Sequence, residues 1–79
     1  MALPQSPTIM VGANVRAEMA RRRVSQMALG AHLGLSQTTI SKRLAGVTPF
    51  DINELAAIAE LLHVNVVDLL HPFPESVPA

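Results

Sequence analysis

The chain has 79 residues, six acidic and six basic side chains, and no cysteine. This length suits one small domain, and the missing cysteines exclude disulfides and thiolate metal sites. Hydrophobic residues make up 49% of the chain without any tryptophan or tyrosine, so the core must be aliphatic. Apolar runs are too short for a bilayer span of about 18 residues, and residues 1–10 lack the basic start of a secretory signal. We therefore expect a cytoplasmic protein without a membrane partner.

Charge is divided unevenly along the chain. All six basic side chains lie between Arg16 and Arg43, where Glu18 is the only acid, so this part carries a net charge of +5. The other five acids begin at Asp51, which gives the second part −5. This asymmetry favours one face for an anionic partner, although chance clustering on solvated helices would give the same pattern.

The first predicted helix follows a short tail, residues 1–6. Ser6 is a capping residue and proline follows it at the first helical position, so helix one is expected over Pro7–Arg22. Residues 72–79 are predicted to be a second tail, because they hold three of the six prolines and cannot stay helical. The domain is expected to span residues 7–71. The apolar stripe of helix one consists of Val11, Val15 and Met19.

Two shorter helices come next, helix two over Gln26–Leu33 and helix three over Gln37–Ala45. Each has a capping serine before it and a glycine after it, namely Ser25 and Gly34 for the first, Ser36 and Gly46 for the second. The residues expected to be buried are Leu29, Leu33, Ile40 and Leu44. Two capped helices joined by a glycine turn form the helix-turn-helix pattern, whose second helix enters the DNA major groove.

Helix four is predicted to start after Asp51, with Glu54 at the spacing of a capping box. Its buried residues are expected to be Leu55, Ile58 and Leu62. Asn65 caps a last helix over Val66–Leu70, which Pro72 ends. Four helix starts also fit a hydrophobic staple, which joins the residue before the cap to the fourth helical residue. The pairs are Val24 with Leu29, Leu35 with Ile40, Phe50 with Leu55, and Val64 with Leu69.

The stretch Gln26–Gly46, with EMARRRVSQ before it and TPFDINELAAIAELLHV after it, resembles the Cro/C1-type (XRE) helix-turn-helix domain. The resemblance covers about residues 8–71 and implies an all-α, compact five-helix bundle of the lambda-repressor type. Two positions depart from the family pattern. Gly30 stands where alanine is usual, and a small residue is needed there because helices two and three approach closely. Arg43 stands where many members bury an apolar residue.

The polar side chains of helix three suit the edges of base pairs. Gln37 is able to donate to and accept from adenine, Lys42 to donate to guanine, and the Thr38 methyl to touch a thymine methyl. Ser41 and Ala45 are short and allow a close approach to the bases. Gln37, Thr38, Ser41 and Lys42 are therefore the predicted base contacts, the alternative being an ordinary solvated surface.

Other residues are predicted to contact phosphates. In the family, the glutamine that opens helix two contacts a phosphate, and Gln26 matches that position, where the helix dipole also attracts an anion. Ser36, as an alternative or addition to its capping role, and Thr39 would donate hydroxyl hydrogen bonds. The basic candidates are Arg43, on the flank of helix three, and Arg22 and Arg23, which end helix one and also suit its dipole.

Features of an enzyme are missing from the sequence. The three histidines lie on different predicted elements without ligand spacing, so we expect no metal site. The sequence also shows no Ser/His/Asp arrangement, no glycine-rich phosphate loop and no paired carboxylates. We therefore expect no cofactor, no catalytic residue and no small-molecule substrate. Met19 and Met27 are expected to fill the core. The apolar helix five is expected either to close the bundle or to form a homodimer.

These patterns together favour a regulator that binds double-stranded DNA in a sequence-specific way, a small phage or bacterial repressor that occupies an operator. Two alternatives use the same fold. One is a protein-interaction module, such as an antitoxin-like partner or a phage accessory protein. The other is an architectural factor of excision or recombination.

Overall fold

The computed structural model describes residues 6–71, and this part of the chain consists of α-helices joined by short turns, without a strand. The helices are α1 (Pro7–Arg22), α2 (Gln26–Leu33), α3 (Gln37–Leu44), α4 (Ile52–Leu62) and α5 (Val66–Leu70). All five predicted starts are confirmed. Helix α3 ends one residue before the predicted position, because Ala45 is its C-cap. The two predicted tails lie almost wholly outside the described residues, as does the predicted stop at Pro72.

The helix starts are fixed by side chains that accept a backbone N–H. The Oγ atoms of Ser6, Ser25 and Ser36 accept from the third residue of α1, α2 and α3, at 3.2, 3.0 and 3.2 Å. The capping box at α4 is confirmed. Asp51 Oδ1 accepts from the Glu54 N–H at 2.7 Å, and Glu54 Oε1 accepts from the Asp51 N–H at 3.0 Å.

The helix ends are of two kinds. Gly34 and Gly46 leave α2 and α3 with φ of 70° and 80°, as the glycine stops predicted. Arg23 and His63 adopt the same left-handed conformation at the ends of α1 and α4, although both carry a Cβ atom. In each case the N–H of the following valine donates a hydrogen bond to a carbonyl oxygen in the last turns of the helix. Val24 donates to Met19 O at 2.9 Å and Val64 to Ala59 O at 3.0 Å.

The core is aliphatic, as the composition predicted. Its fully buried side chains come from all five helices, and the largest are Leu29, Ile40, Leu44, Ile58, Leu62, Leu69 and Val15. All eight residues of the predicted staples belong to this cluster or pack against it. Met19 is buried as expected, whereas the prediction for Met27 is wrong. Its side chain is 74% exposed, because it lies at the second position of α2 on the side away from Leu29.

Helix α5 packs against α1 and α4 and thereby closes the bundle. Leu69 is fully buried there, whereas Val67 and Leu70 remain exposed. A polar contact from α1 strengthens this closure. The buried Asn14 side chain donates through Nδ2 to Leu69 O at 2.9 Å and to His71 O, so it binds carbonyl groups at the end of α5.

Candidate nucleic-acid interface

Helix α3 divides into a buried and an exposed side. Ile40 and Leu44 lie in the core with at most 2% of their surface exposed. The rest of the helix surface exposes the four residues predicted to contact bases, Gln37, Thr38, Ser41 and Lys42, which we call the polar face of α3. Ala45 is also exposed, at the end of that side. The fold therefore brings amide, hydroxyl and ammonium groups together on one rigid, outward-facing element.

The turn between α2 and α3 is tight. Gly34 carries the positive φ that reverses the chain, and the Leu35 N–H donates to Gly30 O at 2.9 Å. A Cβ atom on Gly30 would lie 2.9 Å from Leu35 O and 3.4 Å from Ile40 Cγ1. This confirms that the close approach of α2 and α3 requires a small side chain at this position. The turn thus fixes where α3 begins relative to α2.

The end of α3 is fixed by a contact with α1 that the sequence analysis missed. A Cβ atom on Gly12 would lie 2.5 Å from Leu44 O and 3.0 Å from Arg43 O, so the α1 backbone passes directly beside the last carbonyl groups of α3. The available signal was a glycine inside a predicted helix, where it costs about 1 kcal/mol unless packing requires it. Both ends of α3 are therefore held by glycine contacts.

The residues predicted to contact phosphates at the helix starts are arranged as follows. Gln26 is exposed at the first position of α2, where Ser25 satisfies the Ala28 N–H and the positive end of the helix faces outward. At the start of α3, the Ser36 hydroxyl donates to Thr39 Oγ1 at 3.0 Å while it accepts the Thr39 N–H. With Ser36 as the donor of this bond, the Thr39 hydroxyl is able to donate its own proton to another acceptor.

The basic residues at the end of α1 differ in their surroundings. The Glu18 carboxylate pairs with Arg21, at 2.6 Å, and with Arg22. Arg23 is exposed at the left-handed position that ends the helix. Of the two arginines that the sequence assigns to phosphates here, Arg22 would have to share its charge with Glu18. Glu18 therefore neutralises part of the positive charge that Arg21 and Arg22 would offer to a phosphate.

The Arg43 side chain packs between α3, the loop that follows it and α4, instead of projecting from the flank of α3. Its Nε atom donates to Pro49 O at 3.1 Å and lies 3.3 Å from Glu54 Oε1 of α4. The side chain is only 19% exposed. Its Nη1 atom is buried and has no hydrogen-bond partner within residues 6–71. The predicted phosphate contact of Arg43 would therefore compete with these internal contacts.

The histidines stand apart from one another at helix ends. His32 is exposed in the last turn of α2, His63 ends α4 and His71 follows α5. Among the residues that the structure describes, no three His, Cys, Asp or Glu side chains form a group suited to a metal ion. In the same part of the chain, no helix combines the length and apolar character that crossing a membrane requires.

Comparison with known proteins agrees with this architecture. A solved structure titled as a hypothetical transcription factor, NHTF, from Neisseria superposes with a TM-score of 0.80, covering 98% of this chain and 91% of that chain at 23% identity. No curated protein is similar enough in sequence to match. The family model described as a helix-turn-helix domain matches residues 11–71, from the fifth residue of α1 to the residue after α5. The chain therefore belongs to the helix-turn-helix domain family.

Proposed function

We propose that this protein is a sequence-specific DNA-binding regulator of the Cro/C1 type, a small phage or bacterial repressor that occupies an operator in the cytoplasm. The observation that carries this proposal is the polar face of α3. It is exposed as a unit while Ile40 and Leu44 anchor the opposite side in the core. Membership of the helix-turn-helix family supports the proposal, because this motif places its second helix in the major groove.

The chemistry of the polar face favours reading of bases over binding of the backbone alone. Gln37 is able to form two hydrogen bonds with one adenine, and Lys42 donates to guanine O6 and N7. The Thr38 methyl suits a thymine methyl, and Ser41 allows α3 to lie close to the bases. Only one of the four side chains is charged, so discrimination between bases would depend mainly on hydrogen-bond geometry and on the fit of the side chains to the base edges. Each good contact of this kind is worth about 1–3 kcal/mol against the wrong base.

Phosphate contacts would set the register of the protein on the duplex. Gln26 offers its amide together with the outward-facing N-terminus of α2, and Thr39 offers its hydroxyl proton at the start of α3. Ser36 holds Thr39 in this orientation, and Arg23 adds an exposed charge. Arg22 contributes to the extent that a phosphate replaces Glu18.

The first experiment selects bound fragments from a random duplex library and footprints the enriched sequence. Fluorescent label is placed on the duplex, because the protein has no tryptophan or tyrosine. We expect Gln37→Ala to lose about 1–3 kcal/mol of binding free energy that depends on one base pair, and to bind duplexes with any base at that position more equally. Gln26→Ala should weaken binding to all duplexes by a similar factor. Asn53→Ala, which removes an exposed amide from α4, serves as the control and should change neither the affinity nor the base preference.

Two results would contradict the proposal. If no duplex is enriched over the starting library, the protein does not recognise a DNA sequence. If Gln37→Ala and Gln26→Ala change the affinities for a set of point-mutated duplexes identically, the division into base and phosphate contacts is wrong.

A role as a protein-interaction module is the second candidate, and the exposed Val67 and Leu70 on α5 favour it. The two functions differ in their dependence on salt. Binding through several phosphates weakens steeply as salt concentration rises, whereas an apolar protein contact does not. Measuring affinity for the selected duplex and for any captured protein between 50 and 200 mM salt, about the range over which phosphate contacts respond strongly, separates them.

A further inference from the structure

The contact of Arg43 with Glu54 joins the last turn of α3 to the first turn of α4. The two side chains are 19% and 15% exposed, so this ion pair is screened far less than a pair on the open surface. Arg43 also donates to Pro49 O, in the loop between the two helices. One guanidinium group therefore contacts the loop and the helix that follow α3, in addition to its own helix.

Glu54 is a fixed partner for Arg43. The same Oε1 atom that faces Arg43 Nε accepts the Asp51 N–H at 3.0 Å, and the Glu54 N–H is held by Asp51 Oδ1 at 2.7 Å. The capping box thus determines the position of the carboxylate before Arg43 binds it. An arginine bound to such a partner has little freedom to follow an external ligand.

We propose that Arg43 is a positioning residue that sets the orientation in which α3 presents its polar face, and that it does not contact a phosphate. This inference rests on the proposed function. On the α1 side, Gly12 brings the backbone against Leu44 O and Arg43 O, so the end of α3 is held from two directions. An apolar side chain would fill the space without leaving a buried and unpartnered Nη1 atom, which is unfavourable. What the arginine adds is a hydrogen bond to the loop and a charge contact with α4.

The test compares Glu54→Gln with Arg43→Lys on the duplex selected from the random library. Glutamine preserves the capping box, since its side-chain oxygen still accepts the Asp51 N–H, but it removes the charge that holds Arg43. Lysine preserves the positive charge but cannot reproduce the guanidinium geometry. We expect each variant to lose about tenfold in discrimination between the selected duplex and its point-mutated versions, a coupling effect within the usual range for contacting residues. The double variant should lose no more than either single one.

A phosphate contact by Arg43 predicts different results. Glu54→Gln would then release the guanidinium and tighten binding to all duplexes more than Glu60→Gln does, and Arg43→Lys would keep discrimination. Arg43→Met would lower the slope of log affinity against log salt by about 1. Any of these results would overturn the inference. Glu60→Gln is the matched control, because it removes one exposed carboxylate from the same helix without touching the pair, and it should leave discrimination unchanged.

Two further measurements separate the sources of failure. If the wild-type protein selects no duplex, the proposed function fails and takes this inference with it. If it selects a duplex and Glu54→Gln discriminates as well as the wild type, only the inference fails. Without DNA, the Arg43 Nε–Hε resonance in an NMR correlation spectrum should move towards those of exposed arginines in Glu54→Gln, and an unmoved resonance would contradict the contact. Far-UV circular dichroism establishes that each variant is folded.

Discussion

Gly12 determines how closely α1 approaches the end of α3. A methyl group at this position would overlap Leu44 O at 2.5 Å and contact Arg43 O at 3.0 Å, and both are backbone atoms that cannot turn aside as a side chain does. To admit the methyl group, one helix must move. Because Leu44 carries both the buried anchor of α3 and the overlapping carbonyl, a shift here would also displace the polar face.

We therefore expect Gly12→Ala to destabilise the protein by about 1–3 kcal/mol, the usual cost of overpacking a close contact. Helix propensity alone would have the opposite sign, since alanine is about 1 kcal/mol better than glycine inside a helix. Urea unfolding followed by circular dichroism measures the difference. Ala20→Gly at an exposed site of α1 is the control for propensity and should cost about 1 kcal/mol. A gain in stability for Gly12→Ala would show that the helices separate without strain.

Residues with local partners were predictable, and residues with distant partners were not. Ser25, Ser36 and Asp51 were assigned as caps because a cap bonds to a backbone N–H three residues away. Arg43 was assigned to the DNA backbone because its partner Glu54 lies eleven positions further along, across a loop whose course the sequence does not specify. Asn14 was not singled out, because its acceptors, Leu69 O and His71 O, lie 55 and 57 positions further along the chain.

At the scale of elements, the helix starts and the glycine stops are indicated by single residues, whereas the ends of α1 and α4 also depend on packing. Gly34 and Gly46 indicated their own left-handed conformation, whereas Arg23 and His63 adopt it against the preference of residues with a Cβ atom. Their termination depends on the valine that follows each of them, which packs against the core and bonds back to its helix. The exposed Met27 was mispredicted because α2 has apolar residues on several sides, so its sequence does not specify a buried face.

The exposed side of α3 was predictable because, unlike α2, this helix has few apolar residues and they lie together. Only Ile40 and Leu44 are apolar among its eight residues, and they lie one helical turn apart. Burial of this pair turns Thr38 and Lys42 outward on the far side of the helix, and Gln37 is exposed because it is the first residue of α3. The contacts of the polar face of α3 with bases remain a prediction.

Two substitutions of Ser36, at the start of α3, should separate an effect on stability from an effect on DNA binding. We expect Ser36→Ala to cost about 1 kcal/mol of unfolding free energy, because the cap of Thr39 is lost. Ser36→Asp should retain the wild-type stability, since aspartate caps equally well and favours the helix dipole. It should nevertheless weaken binding to every duplex, because its charge repels the phosphates beside the α3 N-terminus. Thermal unfolding and duplex titration measure the two effects, and equal affinities for Ser36→Asp and the wild type would place this N-terminus away from DNA.

At the scale of the whole molecule, α5 has both a closing face and a free face. Leu69 completes the core, and Val67 and Leu70 are 57% and 42% exposed. A homodimer through this face remains a prediction. Such a dimer would place two copies of α3 on half-sites roughly 34 Å apart, one turn of the DNA.

We expect Val67→Ser to shift the sedimentation equilibrium towards the monomer and to weaken binding to a palindromic duplex more than to a single half-site. Ala56→Ser, at an exposed position of α4, is the control and should change neither measurement. A selected consensus without twofold symmetry, together with a wild type that sediments as a monomer at all concentrations, would contradict the dimer.

The amide of Asn14 has a mechanical consequence. Its two acceptors are the carbonyl groups of Leu69 and His71, so the point where the chain leaves α5 is attached directly to the first helix. A load applied to the chain after His71 would therefore act on α1 directly through this amide, as well as on the packing of α5 against α4. Since α1 also supports the end of α3 through Gly12, tension from that side of the molecule would be transmitted to the helix that we assign to the major groove.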